Sequence, residues 1–353
     1  MKITGQASGG TGGKIEIETL QEMLEGQVAV LSAGVLEPEE ALGVLKALRA
    51  SRMYEPRQNS YMLYPNKELA DFENKNCISE NDAAPLGALI KKTGSSLLQK
   101  DCNGVWHFNG EFRNAAFLEE ACAALPEDKE PTAEELDALK ALYEKTFNHQ
   151  SFTGRSGTFY AYEGLGSIYW HMVSKLLLAS QENALAAISK GADSATIKAL
   201  TDAYYEIRSG IGFNKSPELY GAFPADPYSH TPYLQGAKQP GMTGQVKEEI
   251  LTRWGELGIE VVDGCAAFAP KILRKSEFFQ DGPDAGTLRF TWCGVPITYR
   301  LAAGAENSAS TVTPANSNIT VNGTRREGSS LTAAETADLF ARNGKITDII
   351  VEL

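Results

Sequence analysis

The chain has 353 residues, of which 33 are Lys or Arg and 45 are Asp or Glu, so its formal net charge is −12. This charge argues against nucleic-acid binding, which needs a basic face to displace counterions. The longest uncharged apolar runs, such as residues 265–270, are far too short to span a bilayer, so we expect no membrane as a partner either.

The first 13 residues are polar and rich in Gly, without the apolar stretch of a signal peptide, and we expect a flexible start there. The chain has five Cys without CxxC spacing and four His without a paired motif. This pattern is typical of reduced thiols in a cytoplasmic protein, and it does not indicate a metal site.

Apolar residues at helical spacing predict a series of helices between residues 14 and 263. In the first helix Leu24, Val28 and Leu31 share one face; Gly34 ends it, and the segment from Glu37 opens the second with an early Pro and acids. Further helices are predicted over residues 84–99, 114–124, 131–147, 168–182, 193–209 and 243–257. The intervening stretches 148–167 and 210–242 are long loops rich in Gly, Pro and aromatic residues, and such loops tend to be functional.

The pattern changes to alternation after Gly264. Strands are predicted over residues 288–292, 295–300 and 318–321, with a tight hairpin at Asn322-Gly323, and a closing strand over 346–353. We therefore expect three parts: a flexible start (1–13), a helical domain (14–263) and a β-rich module (264–353).

The expected fold class follows from the helices. Pairs of helices bury their apolar faces only with neighbours on both sides. We expect a mainly α protein, a partial (α/α) toroid of helical hairpins with a small C-terminal β-rich module.

Several segments, in this order along the chain, carry a resemblance to a known family. They are residues 163–171 (EGLGSIYWH), residues 226–232 (DPYSHTP), residues 241–244 (GMTG) and Leu257-Gly258 after the following helix. Together with the β tail they resemble the C-terminal half of the cellobiose phosphorylase family of inverting glycoside phosphorylases. The segment with that family's general-acid aspartate has no counterpart in the chain, and by order it would precede residue 1.

The resemblance implies an oligosaccharide or glycoside as the substrate and inorganic phosphate as a co-substrate, with no other cofactor. It implies phosphate contacts from His171, Thr243 and Gly244. A helix N-terminus suits this role because its free N–H groups point at the anion, and Gly permits close approach. The family's phosphate-binding arginine lies upstream, and we take Arg155 as a local substitute.

The aromatic loops supply the candidates for sugar binding, namely Tyr162, Glu163, Tyr228 and His230. Aromatic rings stack on sugar faces but also pack loops, and both interpretations stay open. Glu163 and Asp226 are candidates for an acid or base, while the catalytic residues stay unassigned.

Most of these residues also have a structural interpretation. Thr243 suits an N-cap, Glu163 a helix cap, and His171 a hydrogen-bonded core histidine. Asp226 and His230 suit bonds inside their own loop.

Acids are also expected near a helix start for electrostatic reasons, which accounts for Glu248 and Glu249 without a function.

Two functions follow from different classes. In the first, the chain is part of a glycoside phosphorylase or hydrolase-like enzyme whose full activity needs residues outside this chain. The second is a non-catalytic carbohydrate-binding or structural remnant of such an enzyme.

An incomplete ring would leave the apolar face of the first helix at an edge; the face comprises Leu20, Met23, Leu24, Val28 and Leu31. We expect residues 51–112 to cover it, or a homodimer or a partner chain supplying the missing half to do so.

Overall fold

A computed structural model describes residues 2–4, 16–18, 22–65, 70–147, 167–211, 214, 230–232, 244–302, 311–312 and 317–353. Its contacts divide the chain into two compact units. The first unit comprises Met1–Pro65 and Ile168–Leu353, and the second comprises Asn66–Ser167. The sequence-based ranges 1–13, 14–263 and 264–353 stay predictions about domains.

The helices, in chain order, are α1 (Leu24–Ser32), α2 (Pro38–Ala50), α3 (Phe72–Lys75), α4 (Glu80–Ala83), α5 (Gly87–Thr93), α6 (Ala115–Ala123), α7 (Ala133–Phe147), α8 (Trp170–Lys190), α9 (Ser194–Ser209), α10 (Gly244–Leu257) and α11 (Ala333–Ala341). The strands are β1 (Lys2–Thr4), β2 (Glu16–Glu18), β3 (Tyr54–Glu55), β4 (Ser60–Tyr61), β5 (Leu98–Lys100), β6 (Trp106–Phe108), β7 (Ser167–Tyr169), β8 (His230–Pro232), β9 (Ile259–Val262), β10 (Cys265–Phe268), β11 (Thr287–Trp292), β12 (Val295–Arg300), β13 (Asn318–Val321), β14 (Thr324–Glu327) and β15 (Ile349–Glu352).

Helix α8 is the centre of the helical part of the first unit. It contacts α1, α2, α9 and α10. Its buried residues cover more than half of its circumference, from Trp170 and Met172 through Leu176 and Leu177 to Ala187. A helix that is apolar on most sides needs neighbours on most sides, which explains its central place.

The second part of the first unit is a five-stranded mixed sheet. Its strand order is β11-β12-β15-β13-β14, with β12 and β15 parallel and the other neighbours antiparallel. The hairpin between β13 and β14 turns at Asn322 and Gly323, whose φ angles of 47° and 81° are both positive. Asn and Gly tolerate this conformation best, so the predicted hairpin is confirmed at these two residues. The predicted strands over 288–292, 295–300 and 318–321 are confirmed as well.

The expected fold class is wrong. About half of the described residues are helical, the sheet is substantial, and several small two-stranded sheets accompany it. No (α/α) toroid of hairpins is found among the described helices. The reason is the central α8: its neighbours surround one buried helix, whereas helices in a ring would each be flanked on two sides.

The expected exposed edge on α1 is covered within the first unit. Leu24, Val28 and Leu31 are buried in one cluster with residues of α8 and with the 53–63 segment. The backbone N–H of Leu24 also donates to the carbonyl of Leu63 at 2.9 Å. This agrees with the first of the two alternatives, cover from the segment that follows α2, while a homodimer or a partner chain stays untested.

The second unit has its own core. Helices α6 and α7 pack together, and Phe108, Tyr143 and Phe147 form a cluster of mutually contacting rings. The predicted helices over 114–124 and 131–147 are confirmed. The helix predicted over 84–99 is present but shorter: α5 ends at Thr93, because Gly94 with a φ of 61° breaks the helix, and the strand β5 follows at Leu98.

Candidate functional site

Helices α8 and α10 run side by side in the same direction. The side-chain amide of Gln181 donates to the carbonyl of Thr252 at 2.7 Å, and a Cβ placed on Gly255 would stand 2.1 Å from Gln181 Oε1. Helix α9 folds back on α8 after residues 191–193, so the end of α9 lies beside the start of α8. Glu249, near the start of α10, lines a cavity with Ile211, which follows the end of α9, whereas Glu256, near the end of α10, accepts from Tyr204 within α9. The first turns of both helices therefore lie at the same end of the pair.

Two predicted residues belong to this end. His171 lies in the first turn of α8, and Gly244 is the first residue of α10. The strand β7, just before α8, pairs with β8, which begins at His230. The backbone at His230 is thereby held beside the start of α8.

One ring nitrogen of His171 has no partner among the described residues. Its Nδ1 lies 3.4 Å from the Tyr169 hydroxyl, and the two rings are 5.4 Å apart. Its Nε2 is buried and makes no hydrogen bond with any described residue. One nitrogen of His171 is thus left for another group within the described residues, and the choice between a ligand and a core histidine stays a prediction.

Three further described polar side chains of the helix pair, Ser174, Ser180 and Glu248, are buried without full partners. Ser174, on α8, is 0% exposed, and its hydroxyl oxygen has no partner within the described part of the chain. Glu248, on α10, is 2% exposed; its Oε1 lies 3.3 Å from Lys247 Nζ, and its Oε2 has no described partner. A buried acceptor or donor without a hydrogen bond is costly, so each of these atoms needs a partner beyond the described residues, either a buried water or a ligand group.

The positions of Ser174 and Glu248 follow from the Gln181 contact. Ser174 lies seven residues before Gln181, and Glu248 lies seven residues before Gly255. Seven residues are about two helical turns, so Ser174 lies on the same face of α8 as Gln181, and Glu248 lies on the same face of α10 as Gly255. Ser174 and Glu248 thus stand at one level on the facing sides of the pair, one turn beyond His171.

A buried charge network closes the other end of this interface. Glu256, 1% exposed, accepts from Arg208 Nε at 2.7 Å, from Arg253 Nη1 at 2.5 Å and from the Tyr204 hydroxyl at 2.5 Å. Arg253 Nη1 also bonds Glu277 Oε2 at 2.6 Å. Burial is the main cause that raises the pKa of Tyr204 above its usual range, and the negative charge of Glu256 raises it further. The phenol therefore stays protonated and donates.

This network argues against a phosphate site in the neighbouring cavity. The cavity, of about 210 Å³, is lined by both arginines but also by Glu249 and Glu256. Each guanidinium there already faces a carboxylate, so no net positive charge is left for an anion. We therefore assign this cluster to holding α9 and α10 together.

The other predicted site residues lie outside the described part of the chain: Arg155, Tyr162, Glu163, Asp226, Tyr228 and Thr243. For His230 and Gly244 the structure gives the backbone. Sequence reasoning missed Ser174, and it explained Glu248 by the helix dipole. Their burial depends on the packing of α8 against α10, for which the local sequence carries no signal.

A second cleft, of about 440 Å³, lies within the second unit. Its lining includes Asn74, Gln99, Asp101 and His107. Asp101 accepts from the backbone N–H of Val105 at 2.8 Å, and its Oδ2 lies 3.4 Å from His107 Nε2. The hydrogen bond from the Val105 N–H lowers the pKa of Asp101. His107 and the Asn103 N–H lower this pKa further, while desolvation acts in the opposite direction.

The described part of the chain offers neither a metal centre nor a membrane helix. Within the described ranges no group of three or more His, Cys, Asp or Glu residues is placed to hold a metal ion. Over the same residues, every helix is too short or too polar to cross a bilayer.

Comparison with known proteins gives one family. Residues 69–150 match the model of the GH149 phosphorylase insertion domain 2. The match falls within the second unit and covers less than half of the chain. No curated protein matches the chain. The match relates this protein to glycoside phosphorylases and so to carbohydrate-active proteins, without pointing to the cellobiose phosphorylase family in particular.

Proposed function

We propose that this chain is part of a glycoside phosphorylase, and that the shared end of α8 and α10 binds inorganic phosphate beside a sugar. One observation carries the proposal: His171 Nε2 is buried and has no hydrogen-bond partner among the described residues, at the end where two parallel helices begin. The relation to glycoside phosphorylases gives this end its chemical context. The resemblance of residues 163–171 and 226–244 to cellobiose phosphorylases supports the same assignment.

The physics of a helix start suits phosphate. Each helix leaves its first N–H groups without intrahelical partners and carries a partial positive charge at that end. Two parallel helices add these effects at one place. His171 supplies a donor when Nε2 is protonated, and we propose that Thr243, Gly244 and Arg155 complete the phosphate contacts.

The reaction requires a sugar between the phosphate and an acid. In an inverting mechanism phosphate attacks one face of the sugar while an acid protonates the leaving oxygen on the other. We propose Tyr162, Glu163, Tyr228 and His230 for sugar binding, and Glu163 or Asp226 as candidates for the acid or base. Beyond inorganic phosphate as co-substrate we propose no cofactor.

The 353-residue chain by itself should be a weak catalyst. No segment matches the family's general-acid aspartate, and the loss of general acid catalysis costs about 10²–10⁴-fold in rate. Binding is therefore a better test than turnover.

The test is calorimetric titration of the purified chain with inorganic phosphate, a gluco-oligosaccharide and glucose 1-phosphate. We expect phosphate to bind, and His171→Gln to weaken it at least tenfold. His107→Gln, in the second unit, is the matched control and should leave the affinity unchanged. An unchanged phosphate affinity in a folded His171→Gln variant would refute the phosphate site. Binding of the oligosaccharide without any phosphate binding would instead favour the non-catalytic carbohydrate-binding alternative.

A further inference from the structure

We propose that the groove between α2 and α9 binds an organic phosphate monoester, at a site separate from the helix end that α8 and α10 share. The groove is a cavity of about 780 Å³ within the first unit. Cavities that take small organic ligands measure about 300–1,000 Å³, so the space suffices. Its lining includes the exposed residues Lys46, Asp202 and Glu206, so a ligand enters directly from solvent.

Helices α2 and α9 run side by side in the same direction. The residue before α2 pairs with the last residue of α8 at 3.1 Å, and α9 starts there after residues 191–193. Near the far ends of both helices, Arg49 Nη2 lies 2.7 Å from Glu206 Oε1. Lys46 and Asp202 each stand about one turn earlier on their own helix. These two side chains therefore lie at the same level of the groove.

Arg274 reaches this level from the other side of α9. The buried Tyr205 donates its hydroxyl proton to the carbonyl of Ile272 at 2.9 Å, which holds the chain before Arg274 against the helix. The guanidinium carbon of Arg274 lies 3.7 Å from the centroid of the Tyr205 ring, and its Nη2 lies 3.9 Å from Asp202 Oδ1. Arg274 is thus held by stacking and not by a hydrogen-bonded carboxylate.

Both carboxylates that line the groove are already neutralised by a close cation. Glu206 pairs with Arg49, and Asp202 lies 2.5 Å from Lys198 Nζ. The ammonium of Lys46 has no hydrogen bond or ion pair with any residue that the structure describes. The groove therefore carries an excess of positive charge, although the chain as a whole has a net charge of −12.

The two remaining cations, Lys46 and Arg274, suit a phosphate group. Stacking on Tyr205 fixes the plane of the Arg274 guanidinium and leaves its N–H edge for two parallel bonds to phosphate oxygens. A phosphate monoester carries about 1.5 to 2 negative charges at pH 7, which matches two cations. The cavity of about 210 Å³ lacks this excess, because each of its arginines faces a carboxylate.

An apolar floor between these charges favours an ester over free phosphate. The floor is formed by Leu42 and Leu45 of α2 and by Ala199 and Ala203 of α9. Inorganic phosphate leaves this surface in contact with water, whereas an organic group attached to the phosphate covers it. Removing apolar surface from water is favourable, so the organic part adds to the affinity.

The experiment is calorimetric titration of the purified chain with phenyl phosphate, phenyl sulfate and inorganic phosphate. Phenyl phosphate should bind most tightly, because phenyl sulfate has one charge and inorganic phosphate has no apolar part. We expect Arg274→Gln to weaken binding of phenyl phosphate about tenfold, since it removes a charge-assisted pair of bonds, and the more exposed Lys46→Gln about threefold. The control Lys190→Gln removes a lysine that pairs with Glu37 outside the groove, and it should bind as the parent chain does.

The same titrations in the His171→Gln background separate this site from the proposed phosphate site. The loss caused by Arg274→Gln should be equal in both backgrounds, because independent sites contribute additively. Unchanged phenyl phosphate affinity in folded Arg274→Gln and Lys46→Gln would overturn the groove site and leave the helix end untouched. Should Arg274→Gln fail to fold, the exposed Lys46→Gln decides. An equal loss in Lys190→Gln, or equal affinities for phenyl phosphate and phenyl sulfate, would also overturn the proposal.

Discussion

The side-chain amide of Gln181 donates to the backbone carbonyl of Thr252, 2.7 Å away on the neighbouring helix. Gln181 is 2% exposed, and its Oε1 occupies the space that a Cβ at position 255 would need. A carbonyl has two lone pairs, so Thr252 can accept this bond in addition to a helical one. The bond and the close approach at Gly255 together fix the relative height of α8 and α10, and with it the level of Ser174 and Glu248.

Gly255→Ala should therefore destabilise the protein. Ala raises helix propensity, but its Cβ would stand 2.1 Å from Gln181 Oε1, so the amide must move or the helices must separate. We expect a loss of about 1–3 kcal/mol in the free energy of unfolding, as for other overpacked sites. Urea unfolding followed by circular dichroism measures it. Gly43→Ala is the matched control, because Gly43 lies in α2 with nothing within 4 Å of the position a Cβ would take. The free energy of unfolding of this variant should rise by about 0.5–1 kcal/mol, since Ala favours a helix more than Gly does. Equal gains for both variants would show that the two helices are not packed this closely.

Glu256→Gln should lower the free energy of unfolding more than the same substitution at a surface ion pair. It leaves Arg208 and Arg253 without the buried carboxylate that faces both of them. Breaking a buried pair by removing one partner costs about 3–5 kcal/mol. Glu260→Gln is the control, because Glu260 pairs with Lys271 at 3.0 Å on the surface and should contribute less than about 1 kcal/mol. A loss below about 1 kcal/mol at Glu256 would contradict the network.

Local signals in the sequence predicted the elements well. Gly34, the Pro38 start of α2 and the Asn322-Gly323 turn act through their own backbone preferences, and each appears where expected. The fold class was wrong because it depends on how many sides of a helix are covered. The apolar face noted for α8 is part of a larger buried surface that includes Ala179, Ala184 and Ala187, and small residues give a weak periodic signal.

The candidate site was predicted in part. His171 was found because it stands in a segment that resembles a family motif. Ser174 and Glu248 could not be found, since the burial of each depends on the packing of two helices that are distant in sequence. An acid near a helix start is favourable in solvent as well, so Glu248 has an ordinary explanation until its burial is known.

The cysteines should differ widely in reactivity. Burial, followed by the nearby Glu119 charge, raises the pKa of Cys122 to about 11, whereas Cys77 and Cys102 are exposed. At pH 8 a thiol with that pKa is only about one part in a thousand thiolate, which is the reactive form. We expect Cys77 and Cys102 to react with a disulfide reagent in the folded protein, and Cys122 to react after unfolding in urea. The double variant Cys77→Ser, Cys102→Ser should lose the fast phase; its persistence would contradict this assignment.

The last prediction concerns acid stability in the second unit. Because the Val105 N–H bond and the nearby His107 lower the pKa of Asp101 in the fold, the unfolded chain binds its proton more readily. The stability that Asp101 adds is therefore fully present above its unfolded pKa of about 3.8, and it is lost as the pH falls below that value through the folded pKa. Asp101→Asn should lower the thermal midpoint of the second unit at pH 7, and the difference between variant and parent should narrow as the pH falls below about 3.8. Asp128→Asn, at an exposed position before α7, should have the same thermal midpoint as the parent at every pH. A gap at Asp101 that stays constant down to pH 2 would show that the side chain acts through its shape rather than through its charge.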